Sequence, residues 1–322
     1  MMTMTDPSTA DPARFRRALP TDAVLSTWIA PDGWALRRLD WPAPAGAARG
    51  AILFQGGRGD IIEKYLEAMT HWHDAGWAVT SFDWRGQGGS GRTTADPHVG
   101  HASSFAPFVD DLSALWREWR ATTPGPHVVM GHSMGGHLVL RAIVEGAIDP
   151  DAAVLIAPML GLRSPVGAAW GERLARVMRG LGDAARPAWK GHERPGAIDR
   201  QPLLTKDKSR YDDELYWYGA VPTLRLGPPS WAWLVEAFAS TRRQRADPRL
   251  HSTATPVLML VADADALVDP HAAVAVAAAL PRVQVIRFGV ESAHEILREA
   301  DEVRDRALAA IDTFLDARAP AR

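Results

Sequence analysis

The sequence of 322 residues contains no cysteine and no asparagine, and only four of its 36 basic residues are lysine. Without cysteine the chain has no thiol nucleophile, no disulfide, no cysteine-ligated zinc and no iron–sulfur cluster. Without asparagine it has no N-glycosylation acceptor and no Asn side chain to stabilise an oxyanion. A hydrolytic nucleophile is therefore Ser, Thr, Asp, Glu or an activated water. We attribute the missing asparagine and scarce lysine to coding bias, because hyperthermophiles characteristically gain lysine.

Excess charge of one sign and long apolar runs are also missing. The formal net charge is −2 and the sequence pI is about 6.6, so we expect no general attraction to nucleic acid. The longest apolar run, 272–280, is too short to span a bilayer. No hydrophobic segment follows Arg16 and Arg17, as a twin-arginine signal would require. These features predict a cytoplasmic protein without a transmembrane segment.

Short apolar runs alternate with amphipathic segments along most of the chain. Runs typical of strands buried on both faces occur at 51–54, 77–82, 128–130 and 154–156. Apolar residues repeat at i, i+3, i+4 and i+7 between positions 105 and 119, which predicts a helix. This alternation predicts an α/β fold with a mostly parallel central sheet covered by helices on both faces.

The alternation lapses between residues 159 and 250, a stretch rich in Gly, Pro, Arg and aromatic residues. It then resumes with an apolar strand pattern at 256–261. We therefore predict one α/β core, formed by 21–158 and 251–322, with an insertion at 159–250. Residues 1–20 are polar and contain proline, and we predict that they form a disordered N-terminal tail.

The sequence contains a G-x-S-x-G pattern at residues 131–135. It follows the predicted strand 128–130 and precedes a predicted helix at 138–144, which is the strand–turn–helix context of a nucleophile elbow. The flanking glycines relieve clashes in this strained turn, and the helix N-terminus favours a developing negative charge. The pattern and its context predict that Ser133 is a catalytic nucleophile.

A serine nucleophile needs a histidine base, which an acid orients. In a fold with this elbow, the acid and then the histidine follow the serine in the chain. Only His271 and His294, of eleven histidines, lie after the resumed strand pattern. We predict His294 as the base, because it lies in the loop that follows the predicted strand 283–288. His271 starts a predicted helix, where we expect it to be exposed.

The acid is expected in the loop after the predicted strand 256–261, where three aspartates compete. The segment 262–268 fits a G-x-x-D-x-x-V pattern with Ala262 in place of Gly, and this pattern favours Asp265. Asp263 is the alternative and could instead cap the loop. Asp269 precedes Pro270 and is typical of a helix cap.

An oxyanion hole in this context combines two backbone N–H groups. The first belongs to the residue after the nucleophile, Met134. The second comes from the loop after strand 51–54, which reads Gln-Gly-Gly-Arg-Gly. We predict Gly57 as the second donor, with Arg58 as the alternative; a plain glycine turn is the non-catalytic interpretation.

Two further patterns fail on closer reading. Residues 86–91 match G-x-G-x-x-G, but no helix opens directly after them, as a dinucleotide site requires. His294 and Glu295 begin an H-E-x-x-H pattern, but its last position is Arg298. We therefore expect neither a cofactor nor a metal ion.

Several stretches together resemble the bacterial lysophospholipase and monoacylglycerol-lipase-like family of α/β-hydrolases, often called serine aminopeptidase-like. The matching stretches are 57–60, 63–65, 82–92, 131–136, 204–207, 210–211, 293–297 and 299. They extend across about residues 50 to 315.

The resemblance implies an α/β-hydrolase fold with Ser133, Asp265 and His294 as the catalytic triad and a cap at 159–250 over the sheet. It also implies acyl ester substrates: lysophospholipids, monoacylglycerols or simple carboxylesters. Such lipid substrates are compatible with transient contact with a membrane surface. The chain departs from the family where many relatives have His-Gly, since it has Gln55 and Gly56 there.

The same triad serves an amidase or aminopeptidase equally well, so the choice between ester and amide substrates stays open at this point. A third hypothesis is a non-catalytic binding protein on a hydrolase scaffold. The complete set of triad residues argues against it.

Overall fold

The computed structural model describes residues 16–46, 48–189 and 200–321. Its strands are β1 (Val24–Ile29), β2 (Ala35–Trp41), β3 (Gly50–Gln55), β4 (Trp77–Phe82), β5 (His127–His132), β6 (Ala152–Ile156), β7 (Val257–Ala262) and β8 (Val283–Phe288). These described strands form one sheet in the order β1-β2-β4-β3-β5-β6-β7-β8. Strand β2 is antiparallel to both its neighbours, and the other neighbouring pairs are parallel. The predicted mostly parallel sheet is confirmed.

The helices in the described ranges are α1 (Leu66–Asp74), α2 (Ala106–Thr122), α3 (Met134–Val144), α4 (Ala168–Gly180), α5 (Gln201–Leu204), α6 (Lys208–Ala220), α7 (Trp231–Arg245), α8 (Pro270–Ala279) and α9 (Asp301–Arg318). None of these described helices combines the length and the apolar character that crossing a bilayer requires. Short 3₁₀ turns lie between them, including Ile62–Tyr65 directly before α1.

The buried strands send successive side chains into two hydrophobic clusters, one on each face of the sheet. Leu53 of β3 packs in the cluster that contains residues of α2, α3 and α8. Its neighbours Ile52 and Phe54 pack in the cluster with residues of α1 and α9. Because side chains alternate along a strand, such strands are apolar throughout. The predicted helical cover on both faces is confirmed.

Helix α3 begins at Met134, four residues before the start predicted from the sequence. The first turn of the helix contains Gly135 and Gly136, which have low helix propensity. Both glycines stand where a side chain does not fit. A Cβ on Gly135 would lie 2.3 Å from the Gly56 carbonyl oxygen, and one on Gly136 would lie 2.9 Å from that of Gly131. Close backbone packing around the elbow therefore outweighs propensity.

Between β6 and β7 the described chain contains helices α4 to α7 and no strand of the sheet. Residues 190–199 of the predicted insertion lie outside the described residues, as do residues 1–15 of the predicted tail. At the start of the described chain, Arg16 and Arg17 form ion pairs with Asp213 of α6. The Nε1–H of Trp217, also in α6, donates to the carbonyl oxygen of Arg16 at 2.9 Å.

Candidate active site

Ser133 lies in a sharp turn between β5 and α3, with φ +53° and ψ −118°. A positive φ is strained for a residue with a side chain, so the surrounding structure must hold it. The Ser133 N–H donates to the carbonyl oxygen of Ile156 at 3.0 Å, and its carbonyl oxygen accepts the N–H of Met159 at 2.9 Å. These bonds fix the predicted nucleophile at the carboxyl ends of β5 and β6.

His294 and Asp265 form a buried pair, with His294 Nδ1 2.5 Å from Asp265 Oδ2. Asp265 lies in the loop after β7, and its other oxygen, Oδ1, accepts the N–H groups of Leu267 at 2.7 Å and Val268 at 3.0 Å. The backbone thus orients the carboxylate so that one oxygen faces the imidazole. The structure brings together the two residues predicted as base and acid.

The other candidates for the acid and the base have different partners. Asp263 forms an ion pair with Arg287 at 2.8 Å. Asp269 caps α8, because its Oδ1 accepts the N–H of His271 at 3.0 Å. His271 is exposed, as expected for the first turn of a helix. Asp265 is the one of the three predicted aspartates that contacts His294.

The contact between Asp265 and His294 favours the charged form of each side chain. Burial disfavours the carboxylate of Asp265, but the facing imidazole and the two backbone N–H groups hold its pKa below the ordinary value. Burial also disfavours the imidazolium, yet Asp265, with smaller contributions from Glu295 and Asp60, raises the pKa of His294 above 6.5. His294 is therefore a stronger base than an isolated histidine.

The loop after β3 lies directly beside the elbow. A Cβ on Gly57 would come within 2.8 Å of the Ser133 Cβ, so only glycine fits there. The Gly57 N–H, however, donates to Asp60 Oδ2 at 2.6 Å. It is thus already engaged, which argues against the predicted role of Gly57 as oxyanion donor. Met134 begins α3, where helix geometry leaves the first N–H groups without intrahelical partners.

Ser133 and His294 line one cavity of about 530 Å³. Its walls come from the carboxyl ends of the strands and from the insertion between β6 and β7. Most of its side chains are apolar, among them Met159, Leu162, Leu174, Trp189, Trp233 and Phe238. Such a cavity suits an acyl chain, because small-molecule sites are mostly apolar with few polar groups.

Behind the cavity lies a buried group of charges that the sequence reasoning did not single out. It contains Asp60, Lys64, Glu214, Glu295 and Arg298, and all five are buried. Three of its members, Asp60, Lys64 and Glu295, lie in stretches that carry the family resemblance. The sequence feature that could have indicated this group is the presence of charged residues directly after His294 and directly after the oxyanion loop.

Fold and site together define an α/β-hydrolase. The sequence profile of the serine aminopeptidase family (S33) matches residues 46–301. Lysophospholipase L2 of Escherichia coli strain K12 is 34% identical over 279 residues, which cover 81% of this chain and 78% of the relative. Monoglyceride lipase of Rattus norvegicus is 26% identical over 97% of this chain and 96% of the relative. The chain therefore belongs to the serine aminopeptidase S33 family of hydrolases.

A crystal structure of a soluble variant of monoglyceride lipase from Saccharomyces cerevisiae has the same fold. Its TM-score is 0.76 at 18% identity, covering 94% of this chain and 97% of that chain. At this identity the likeness shows the fold alone, and it agrees with the α/β-hydrolase fold that the sequence predicts.

Proposed function

We propose that the protein is a serine ester hydrolase that cleaves acyl esters through an acyl-enzyme on Ser133. The observation that carries this proposal is His294, which contacts the buried Asp265 at 2.5 Å and lines the same cavity as the strained Ser133. In this mechanism Asp265 fixes the tautomer of His294 and stabilises its imidazolium. His294 removes the proton of Ser133 as the hydroxyl attacks the acyl carbon.

The tetrahedral intermediate places a negative charge on the former carbonyl oxygen. We assign the two donors to this oxygen as the backbone N–H groups of Met134 and Arg58, because the Gly57 N–H is engaged with Asp60. The alcohol then leaves with a proton from His294, and water repeats the cycle on the acyl-enzyme.

The substrate class of this proposal is lipid-type esters: lysophospholipids, monoacylglycerols or simple carboxylesters. The apolar cavity and the names of the relatives, lysophospholipase and monoglyceride lipase, support this class. As part of the proposal, residues 21–158 and 251–322 form the core and 159–250 form a cap over the cavity. Leu174 and Trp233 from that segment line the cavity beside Ser133, as a cap would require.

A matched panel of substrates tests the proposal. The purified protein is expected to hydrolyse p-nitrophenyl butyrate, lysophosphatidylcholine and monoacylglycerol, and to turn over the matching p-nitroanilide far more slowly. A fluorophosphonate should label Ser133 in the intact protein, located by peptide mass spectrometry. Dominant anilide turnover would favour the aminopeptidase hypothesis. No labelling and no turnover would favour the binding-protein hypothesis.

Helix α4 and the residue directly after it carry exposed apolar side chains next to the cavity. Trp170, Leu174, Val177 and Leu181 are spaced by four, three and four residues and are 51–64% exposed. The spacing of the first three places them on one side of α4, and Leu181 directly follows the helix. The same helix carries arginines at 173, 176 and 179, and the Arg173 guanidinium lies 5.0 Å from the Trp170 ring centroid. A basic amphipathic helix of this kind binds the surface of an anionic bilayer.

We propose that α4 makes the transient membrane contact, and a vesicle assay tests it. The double variant Val177→Ser/Leu181→Ser is expected to bind phosphatidylglycerol vesicles at least about tenfold more weakly, since each apolar side chain contributes about 1.5–3 kcal/mol when buried. Hydrolysis of a short soluble ester should stay unchanged.

The control Val24→Ser/Ile29→Ser removes two apolar side chains that are equally exposed, each 57%, on β1. Equal vesicle binding by the two double variants would contradict the assignment to α4. The cytoplasmic location expected from the sequence belongs to the same proposal, and cell fractionation tests it.

A further inference from the structure

The buried charges behind the cavity meet at one lysine. The Nζ of Lys64 lies 2.6 Å from Asp60 Oδ1, 2.5 Å from Glu295 Oε1 and 3.1 Å from Glu214 Oε2. We call Asp60, Lys64, Glu214, Glu295 and Arg298 the Lys64 cluster. Its three carboxylates come from three segments: the loop after β3, the loop that carries His294, and helix α6.

Stability alone does not account for this cluster. All five of its side chains are at most 6% exposed, and removing charges from water costs several kcal/mol for each ion. Apolar replacements of buried ion networks are often neutral or stabilising. Lys64 and Asp60 are nevertheless ionised: burial opposes their charged forms, but the attraction between them raises the pKa of Lys64 and holds the pKa of Asp60 well below its ordinary value. Its contacts indicate another role.

Asp60 connects the cluster to the oxyanion loop and to the elbow. Its Oδ2 accepts the Gly57 N–H at 2.6 Å and the Tyr65 hydroxyl at 3.0 Å, and lies 3.0 Å from His132 Nδ1. His132 directly precedes Ser133, and the Tyr65 hydroxyl lies 2.8 Å from its Nδ1. One carboxylate thus contacts groups on both sides of the site where the oxyanion forms.

Glu295 connects the cluster to the histidine. It directly follows His294, and its Oε2 accepts a hydrogen bond from Arg298 Nη1 at 2.5 Å. Its backbone N–H donates to the carbonyl oxygen of Leu204 at 2.7 Å. Two sets of contacts therefore fix the backbone beside His294: those of the Glu295 side chain, and the hydrogen bond from the Glu295 N–H to Leu204. The ion pair with Lys64 holds the Glu295 side chain in place.

We propose that Lys64 is a positioning residue, which holds Asp60 and Glu295 and thereby fixes the oxyanion loop and His294 relative to Ser133. The proposal rests on the proposed function, because it assigns no contact between Lys64 and the substrate. Besides fixing the backbone, Glu295 acts on His294 electrostatically, since its negative charge close to the imidazole favours the protonated form of His294.

The charged and titratable groups around His294 define the expected sign of this second effect. Asp265 faces Nδ1, Glu295 and Asp60 add negative charge, and the His132 ring centroid lies 4.7 Å from that of His294. Lys64 and Arg298 partly balance the carboxylates. Because Glu295 raises the pKa of His294, its neutral replacement should lower that pKa.

Steady-state kinetics of Glu295→Gln, Tyr65→Phe and Lys64→Met with p-nitrophenyl butyrate test the proposal. Rates are expressed per site titrated with a fluorophosphonate, so that unfolded protein does not count. For Glu295→Gln, the acid limb of the pH profile of kcat/KM should move down by about 0.5–1 pH unit, from a wild-type midpoint above 6.5.

For Lys64→Met, kcat should fall about 100-fold with little change in KM, as for the loss of one oxyanion donor. For Tyr65→Phe we expect kcat to fall about tenfold through misplacement.

Arg85→Met is the matched control, since it removes a part-buried cation whose ion-pair partners in the described residues, Asp32 and the buried Asp111, lie outside the loops of Ser133, Asp265 and His294. It should lower stability and keep the wild-type kcat per titrated site. An unmoved acid limb in Glu295→Gln together with wild-type kcat in Tyr65→Phe would overturn the proposal, even if Lys64→Met does not fold. Activity retained by Ser133→Ala would instead overturn the proposed function.

Discussion

Ser133→Ala is expected to lower kcat for p-nitrophenyl butyrate by about 10⁵–10⁶-fold, the loss measured when a triad serine is removed. The methyl group cannot attack the acyl carbon, and His294 then has no proton to accept from residue 133. Residual hydrolysis over water comes from binding and the oxyanion donors alone. Rates of purified protein, with fluorophosphonate labelling as a second readout, measure this loss.

Ser133→Gly is the matched variant that separates chemistry from folding. It lacks the hydroxyl as well, so it should be equally inactive. The φ of +53° at this position strains alanine but suits glycine. Ser133→Gly should therefore unfold at higher urea concentration than Ser133→Ala, by about 1 kcal/mol in free energy of unfolding. Equal free energies of unfolding for the two variants would contradict the backbone strain inferred at residue 133. Activity in either variant would exclude Ser133 as the nucleophile.

The inner strands of the sheet could be predicted from the sequence because they are buried on both faces. Trp77–Phe82 has the predicted bounds, and the inner strands β3, β5, β6 and β7 differ from their predictions by one or two residues at one or both ends. The partly exposed edge strand Val283–Phe288 also has its predicted bounds. A continuous apolar run bounded by turn residues contains this information locally. The start of α3 cannot be predicted in this way, because Gly135 is required by its contact with the distant loop at Gly56, and Gly136 by the close approach of Gly131 and Pro158.

Within the candidate site, local patterns predicted the side chains but not their hydrogen bonds. Glycine at position 57 is consistent with an oxyanion loop, but the sequence does not indicate where its N–H points. The structure directs it to Asp60, three residues further on. The Lys64 cluster was missed for a related reason: Lys64 and Glu295 are 231 residues apart. No spacing rule connects residues that only the folded sheet brings together.

Asp265→Asn is expected to lower kcat by about 10⁴-fold while leaving the fold intact, the size of effect seen when a triad aspartate becomes an amide. The structure explains why this substitution should change the tautomer of His294 and leave the fold intact. Asp265 Oδ1 accepts the N–H groups of Leu267 and Val268, so the amide oxygen of asparagine takes that position. The amide NH₂ then faces His294 Nδ1, which must accept, and the imidazole proton moves to Nε2. In that tautomer His294 cannot accept the proton of Ser133.

Asp263→Asn is the control, since it changes a carboxylate two residues away that pairs with Arg287 instead of His294. Its kcat should stay within about twofold of wild type, as for an exposed ion pair of little energetic weight. ¹⁵N NMR of the histidine side chains should show the proton of His294 on Nε2 in Asp265→Asn and on Nδ1 in Asp263→Asn. A large loss in Asp263→Asn with little loss in Asp265→Asn would reassign the acid. Because both variants remove one negative charge from the same loop, loss of charge alone cannot account for a large difference in kcat, whereas the contact of Asp265 with His294 does.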